Sequence, residues 1–198
     1  MGIFYVISGP SGAGKTTILK EILRNVDNLT FSVSYTTRPK RPNEREGADY
    51  FFVTEEQFKD LIEKDEFVEW ALVHGYYYGT SKKFIEMELS KGYDIVLDID
   101  VQGALSIMQK YSNAVFIFLA PPSFDTLKER LLKRKTESEE DLVKRIEDAK
   151  WELSKISMFD YIVINDSIES TVGKIKSIIE AERLRIERIK LNGGVFLS

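Results

Sequence analysis

Gly9-Pro-Ser-Gly-Ala-Gly14-Lys15-Thr16 follows directly on the apolar run Ile3-Phe-Tyr-Val-Ile-Ser8 and leads into the helix-patterned stretch Thr16–Leu23. The octet satisfies G-x-x-x-x-G-K-[ST] at every fixed position, and it lies between a buried strand and a helix start, as that motif requires. Each residue type has a physical reason. Glycines let successive N–H groups curl around a phosphate without Cβ clashes, and the helix N-terminus adds its positive end. A lysine supplies a mobile point charge for the β- and γ-phosphates, and a threonine hydroxyl can ligate Mg²⁺. Gly9, Pro10, Ser11, Gly12, Ala13, Gly14, Lys15, Thr16 and Thr17 are therefore the candidate nucleotide-binding residues. Lys15 is also a candidate catalytic group, and Thr16 the candidate Mg²⁺ ligand.

Outward from this loop, strand-length apolar runs alternate with helical patterns. Ile95–Asp98, Ala114–Leu119 and Tyr161–Asn165 are nearly continuous apolar strands, as expected where both faces of a parallel sheet are covered. Helices are predicted over Gln102–Gln109, Ser123–Lys133 and Ser167–Lys190, the last with apolar residues spaced three or four apart. The alternation predicts an α/β fold with a doubly wound, mostly parallel sheet.

The interval Phe31–Lys83 breaks this rhythm. It offers strand-like Phe31–Tyr35, Tyr50–Val53 and Phe67–Val73 around a helix opened by Thr54-Glu-Glu-Gln57, which reads as a capping box. A small inserted α+β lobe is predicted there. A charged excursion over Phe124–Arg145, interrupted at Lys135-Thr136, reads as a mobile helical hairpin. The expected division is a discontinuous core over 1–32, 84–123 and 146–190, an acceptor-binding lobe over 33–83, a lid over 124–145 and a tail over 191–198.

Composition narrows the class. The 198 residues are 43% hydrophobic and 30% charged, which suits a soluble globular protein. With 28 Lys+Arg against 32 Asp+Glu the net charge is -4, so no global basic field draws the chain to nucleic acid or to an anionic membrane. There is no cysteine, hence no disulfide framework, thiolate metal site or catalytic thiol. Ile3–Ser8 is too short for a signal-peptide core, and no apolar run approaches the ~20 residues that span a bilayer. A cytoplasmic protein is expected, monomer or homodimer, with a small-molecule partner.

Candidate chemistry follows from local patterns. Ile95-Val-Leu-Asp98-Ile-Asp100 is an apolar strand ending in acid, and residues two apart in a strand share a face. Asp98 and Asp100 thus stand ready to hold Mg²⁺ waters or to contact an acceptor, while Asp100 also suits the cap of the helix starting near Gln102. Arginines gather in two places: Arg38, Arg41 and Arg45 after Ser34-Tyr-Thr-Thr37, and Arg130 and Arg134 one helical turn apart, with Arg145 following. The guanidinium fork binds phosphate oxygens bidentately and stays charged. Arg45, Lys40, Lys133 and Lys144 read as solvated surface charge. Tyr76-Tyr-Tyr78 before Gly79-Thr80 sets hydroxyls beside what reads as a flexible turn. His74, the single histidine, is given no catalytic role, because phosphoryl transfer rests on positioning and charge.

These pieces resemble the guanylate kinase family across nearly the whole chain. The matching segments are Gly9–Thr16, Ser34-Tyr-Thr-Thr-Arg-Pro39, Gly47-Ala-Asp-Tyr-Phe-Phe52, Phe67-Val-Glu69-Trp, Tyr78-Gly-Thr80, Asp98-Ile-Asp-Val-Gln-Gly103, Arg134, Ser138-Glu-Glu140, Arg145 and Asp160-Tyr161 through Asn165-Asp166. The resemblance implies phosphorylation of GMP by ATP with Mg²⁺. It implies that Ser34, Glu69, Thr80 and Asp100 surround the guanine, with Asp98 and Gly103 on the same acceptor side. Arg38, Arg41, Tyr50 and Tyr78 would hold the GMP phosphate. Arg130, Arg134 and Arg145 would close over the transferring group, with Arg38 counted as catalytic beside them, and Asn165 would lie near the adenine. Tyr76 and Lys135 depart from the family's usual Asn and Gly or Arg, at positions that are not catalytic in the pattern.

The chemistry of the base supports Glu69 independently. Guanine offers N1–H and the 2-amino group as adjacent donors to one carboxylate, whereas adenine N1 is an acceptor. Two other readings remain: a peptide-binding scaffold module that has lost its nucleotide site, and a P-loop kinase with another acceptor. The intact Lys15 and lid arginines argue against the first, and Ser34 with Glu69 against the second.

Overall fold

The computed structural model describes residues 1–73, 75–132 and 139–191. Expectations placed on His74, Lys133, Arg134, the Lys135-Thr136 interruption and the tail beyond 191 fall outside those residues.

The apolar runs form β1 (Phe4–Ser8), β7 (Asp94–Asp98), β8 (Val115–Ala120) and β9 (Tyr161–Ile164), joined by β2 (Leu29–Phe31) in one sheet of order β2-β7-β1-β8-β9. All its pairings are parallel. Successive side chains of β1 point to opposite faces. Ile3, Tyr5 and Ile7 pack with Ile18, Leu19 and Ile22 of α1 (Lys15–Asn25) and Ile175 and Ile179 of α7 (Ile168–Arg183). Phe4 and Val6 pack with Ile85 and Leu89 of α3 (Lys82–Ser90) and Ala104 and Ile107 of α4 (Val101–Lys110) on the other face. Both faces are covered, so the doubly wound α/β expectation holds.

A second sheet of order β4-β3-β6-β5 combines β3 (Tyr35–Thr36), β4 (Phe51–Phe52), β5 (Phe67–Val73) and β6 (Tyr76–Ser81). Its helix α2 (Glu55–Glu63) opens on the expected capping box: Thr54 Oγ1 accepts from the Gln57 amide at 3.2 Å, and Gln57 Oε1 accepts from the Thr54 amide at 2.9 Å. Phe58 of α2 is fully buried, stacked 4.7 Å from Phe67 and 5.3 Å from Tyr77. Beyond it, α5 (Phe124–Leu132) and α6 (Glu139–Leu153) pack on each other through Leu127, Leu131 and Ala149, and α8 (Ile186–Leu191) ends the described chain.

Three local readings are corrected. Phe31–Tyr35 is not one strand: it divides between β2 in the large sheet and β3 in the small one, because the chain crosses from one to the other at 32–34. Gly79-Thr80 is no flexible turn but part of strand β6, antiparallel to β5, where cross-strand hydrogen bonds outweigh the local glycine signal. The last helix breaks after Arg183, where Arg188 of α8 folds back to place Nη2 2.9 Å from the buried Glu182 carboxylate.

Candidate active site

Ile7 of β1 is the register partner of Asp98 in β7, so the loop after β1 and the acidic end of β7 lie side by side. That loop turns through Gly9, Gly12 and Gly14 at φ 144, 87 and 93, a region L side chains rarely adopt. No side chain caps α1 at Gly14, which leaves its first amides without a side-chain partner. Lys15 Nζ folds back onto the Gly9 carbonyl at 2.6 Å. Thr16 Oγ1 lies 3.4 Å from Asp98 Oδ2. Burial raises the Asp98 carboxyl, with Lys15 and Thr16 acting against it.

Asp98 and Asp100 diverge in role. Strand β7 stops at Asp98, so the alternation that would align the pair ends there; Asp100 instead caps α4, accepting the Gly103 amide at 2.8 Å. Both still face one cleft of about 610 Å³ that joins the two lobes.

Across the cleft, Glu69 of β5 is buried and accepts the Thr80 hydroxyl at 2.7 Å. Burial pushes its carboxyl up to about 7; the Thr80 bond opposes the rise and Asp100 adds to it. Gly103 leaves the room this carboxylate occupies, since a Cβ there would meet Glu69 Oε2 at 2.7 Å and Asp100 Oδ1 at 3.1 Å. Arg38 lies over the Tyr50 ring at 5.5 Å and pairs with Glu44 at 2.7 Å. Tyr50 and Tyr78 meet edge-on at 5.9 Å.

The cleft brings together Pro10, Ser11, Gly12, Gly14, Lys15, Thr16 and Thr17 with Ser34, Arg38, Arg41, Tyr50, Glu69, Tyr78, Asp98, Asp100 and Arg145. Gly9, Ala13, Thr80 and Gly103 do not line it, though Gly9 accepts from Lys15 and Thr80 and Gly103 adjoin Glu69. Arg130 instead reaches the phosphate loop from the side, 3.3 Å from the Gly12 carbonyl and 3.5 Å from that of Ala13. Asn165, which follows β9, is buried, and its Nδ2 donates to the Ala13 carbonyl of the loop at 2.6 Å.

Two acidic residues escaped the sequence reading. Glu44 binds Arg38 and also accepts the Arg41 amide at 2.8 Å. Burial works to raise its carboxyl, but these contacts outweigh it and hold it below the usual range. Its position among the loop arginines was the available signal. Glu152 of α6 lines the cleft near Lys15, and burial pushes it up to about 7. No local motif marks it.

The sequence model described as guanylate kinase matches residues 2–182. The chain belongs to the guanylate kinase family. The guanylate kinase of Thermotoga maritima is 57% identical over 187 residues, 94% of this chain and 90% of that protein. That of Caldanaerobacter subterraneus subsp. tengcongensis is 49% identical over 189 residues, covering 96% and 92%. The crystal structure of guanylate kinase from Anaplasma phagocytophilum superposes with a TM-score of 0.81 at 34% identity, covering 97% of this chain and 92% of that one. The two-sheet arrangement and bridging cleft are thus those of a guanylate kinase, a phosphotransferase.

Proposed function

We propose that the cleft transfers the γ-phosphoryl group of ATP directly onto GMP, giving ADP and GDP, as a step of purine nucleotide metabolism that recycles GMP. The observation that carries this reading is the single cleft lined at one end by the phosphate loop and at the other by the buried Glu69. The core holds ATP, the lobe 33–83 holds GMP, and the segment 124–145 closes as a lid. Loop amides and Lys15 take the β- and γ-phosphates. Arg38, Arg41, Tyr50 and Tyr78 hold the GMP phosphate, with Glu44 presenting Arg38 and Arg41. Ser34, Glu69 and Asp100 read the guanine, and Thr80 orients Glu69. A GMP phosphate oxygen bonds to the γ-phosphorus as the bond to the β–γ bridging oxygen breaks, and no protein nucleophile intervenes. Positioning and charge neutralisation do the catalytic work.

Thr16 and Asp98 present a hydroxyl and a carboxylate to one point, a small oxygen set that suits Mg²⁺, which keeps waters and phosphate oxygens as its other ligands. Thr16 would hold it, with Asp98 or Asp100 acting through water. When bound, Mg²⁺ neutralises charge on the β- and γ-phosphates. An ADP-release assay across GMP, dGMP, AMP, CMP and UMP tests the proposal: GMP is expected to be the best ribonucleotide acceptor, and equal or faster turnover of AMP would overturn it.

Two further outcomes follow. Gly103→Ala suits a helix better than glycine, yet its methyl must push the Glu69 carboxylate aside. Initial rates should show kcat/KM for GMP down about tenfold or more, with the KM for ATP unchanged. Arg145 stands on α6, so its contact with the transferring group forms mainly on closure. Arg145→Ala should lower kcat by about a hundredfold while the KM for GMP moves little. A rise in that KM alone would assign Arg145 to the acceptor site.

A further inference from the structure

We infer that Thr171, at the start of α7, is a positioning residue for the phosphate loop and acts through Asn165. The inference rests on the reading of that loop as the ATP site. Thr171 is fully buried, and its Oγ1 donates to Asn165 Oδ1 at 3.1 Å, with the Ile164 carbonyl at 3.5 Å. With that oxygen engaged, the Asn165 amide is fixed so that Nδ2 faces the loop and donates to the Ala13 carbonyl at 2.6 Å. The Asn165 backbone is held in turn, its N–H donating to the Ala120 carbonyl at 2.8 Å. The relay therefore runs from α7 through Asn165 to the loop, over contacts separated by 6 and then 152 residues in sequence.

The relay acts where loop geometry matters most. Ala13 immediately precedes Gly14, whose φ of +93 turns the chain into α1, and Asn165 Nδ2 lies only 2.5 Å from where a Gly14 Cβ would stand. A carbonyl and an amide on one peptide point in opposite directions. Binding the Ala13 carbonyl from behind therefore aims the Gly14 N–H away from Asn165, toward the side where a phosphate is held. Without the Thr171 hydroxyl, Asn165 Oδ1 loses its donor and only the Ala13 carbonyl is left to select the amide's orientation, so the contact from Nδ2 to the loop is held less firmly. Loop preorganisation, and so affinity for the donor, should suffer first.

Thr171→Val keeps the branched shape and removes the hydroxyl. The KM for ATP is expected to rise about tenfold, with kcat and the KM for GMP within about twofold, since one buried acceptor loses its partner. Thr171→Ser should restore the wild-type KM for ATP. Should Thr171→Val fail to fold, Asn165→Asp carries the test: a carboxylate facing the Ala13 carbonyl repels it, and the KM for ATP should rise by at least as much. An unchanged KM for ATP in the folded Thr171→Val protein, or equal losses toward ATP and GMP, would overturn the inference. Failure of the wild-type protein to transfer phosphate from ATP to GMP would overturn instead the reading on which it rests.

Discussion

Replacing Lys15 with Met is expected to cut turnover by about 10²- to 10³-fold, the scale for losing one preorganised charge or donor at a developing anion, while the fold persists. The structure separates the two effects. Lys15 begins α1, and its ammonium hydrogen-bonds the Gly9 carbonyl of its own loop. Methionine keeps most of the stem and a good helix propensity, so α1 and its buried Ile18, Leu19 and Ile22 should pack as before. What disappears is the point charge that must swing from Gly9 to the β- and γ-phosphates. Circular dichroism and thermal melting check the fold, and a coupled ADP assay at saturating ATP and GMP checks the rate. Near-normal turnover of the folded variant would remove the phosphate loop from the mechanism.

The loop was legible because its physics is local: glycine, lysine and threonine at fixed spacing carry their own reason. The large sheet was legible for a related cause, since parallel strands covered on both faces read as continuous apolar runs, and β1, β7 and β8 do, while edge strand β9 reads the same way although Ile162 and Ile164 are exposed. The small sheet was harder. Strand β6 begins with three tyrosines and contains Gly79, so it looks like a turn until β5 is laid beside it, and β3 is two residues long. The contact from Asn165 to the Ala13 carbonyl joins atoms 152 residues apart, and nothing in its own neighbourhood announces it, whereas Glu44 stood among the loop arginines it binds. Asp98 and Asp100 show the limit from the other side: both line one cleft as the shared face implied, but β7 ends at Asp98, so Asp100 reaches it as the cap of α4 rather than by strand alternation.

Glu69→Gln should be the next most costly change, and the one that tests the acceptor. Guanine N1–H and the 2-amino group both need an acceptor, and the ionised Glu69 supplies two oxygens, one already receiving the Thr80 hydroxyl. Glutamine replaces one oxygen with a donor facing a donor. The loss in kcat/KM for GMP should be on the order of 2–4 kcal/mol, the scale for an unmatched charged hydrogen bond. IMP lacks the 2-amino group, so the wild-type protein should use it poorly and the variant should narrow the gap. The KM for ATP should barely move, because the donor site lies in the other lobe. The pH dependence supplies a second readout. Burial pushes Glu69 up to about 7, so the protonated form prevails below that pH and cannot accept from both guanine donors. Wild-type kcat/KM for GMP should therefore fall as pH drops from 8 toward 6, by about tenfold per unit well below the pKa, and the glutamine variant should lose this limb. Stability runs the other way: a carboxyl raised from 4.5 to about 7 by folding contributes most below 4.5, and that contribution is lost as pH rises through 7. Glu69→Gln should flatten this slope in melting temperature as well. If the variant used GMP as well as the wild type did, guanine recognition would have to rest elsewhere in the cleft, with Ser34 and Asp100 the residues left to carry it.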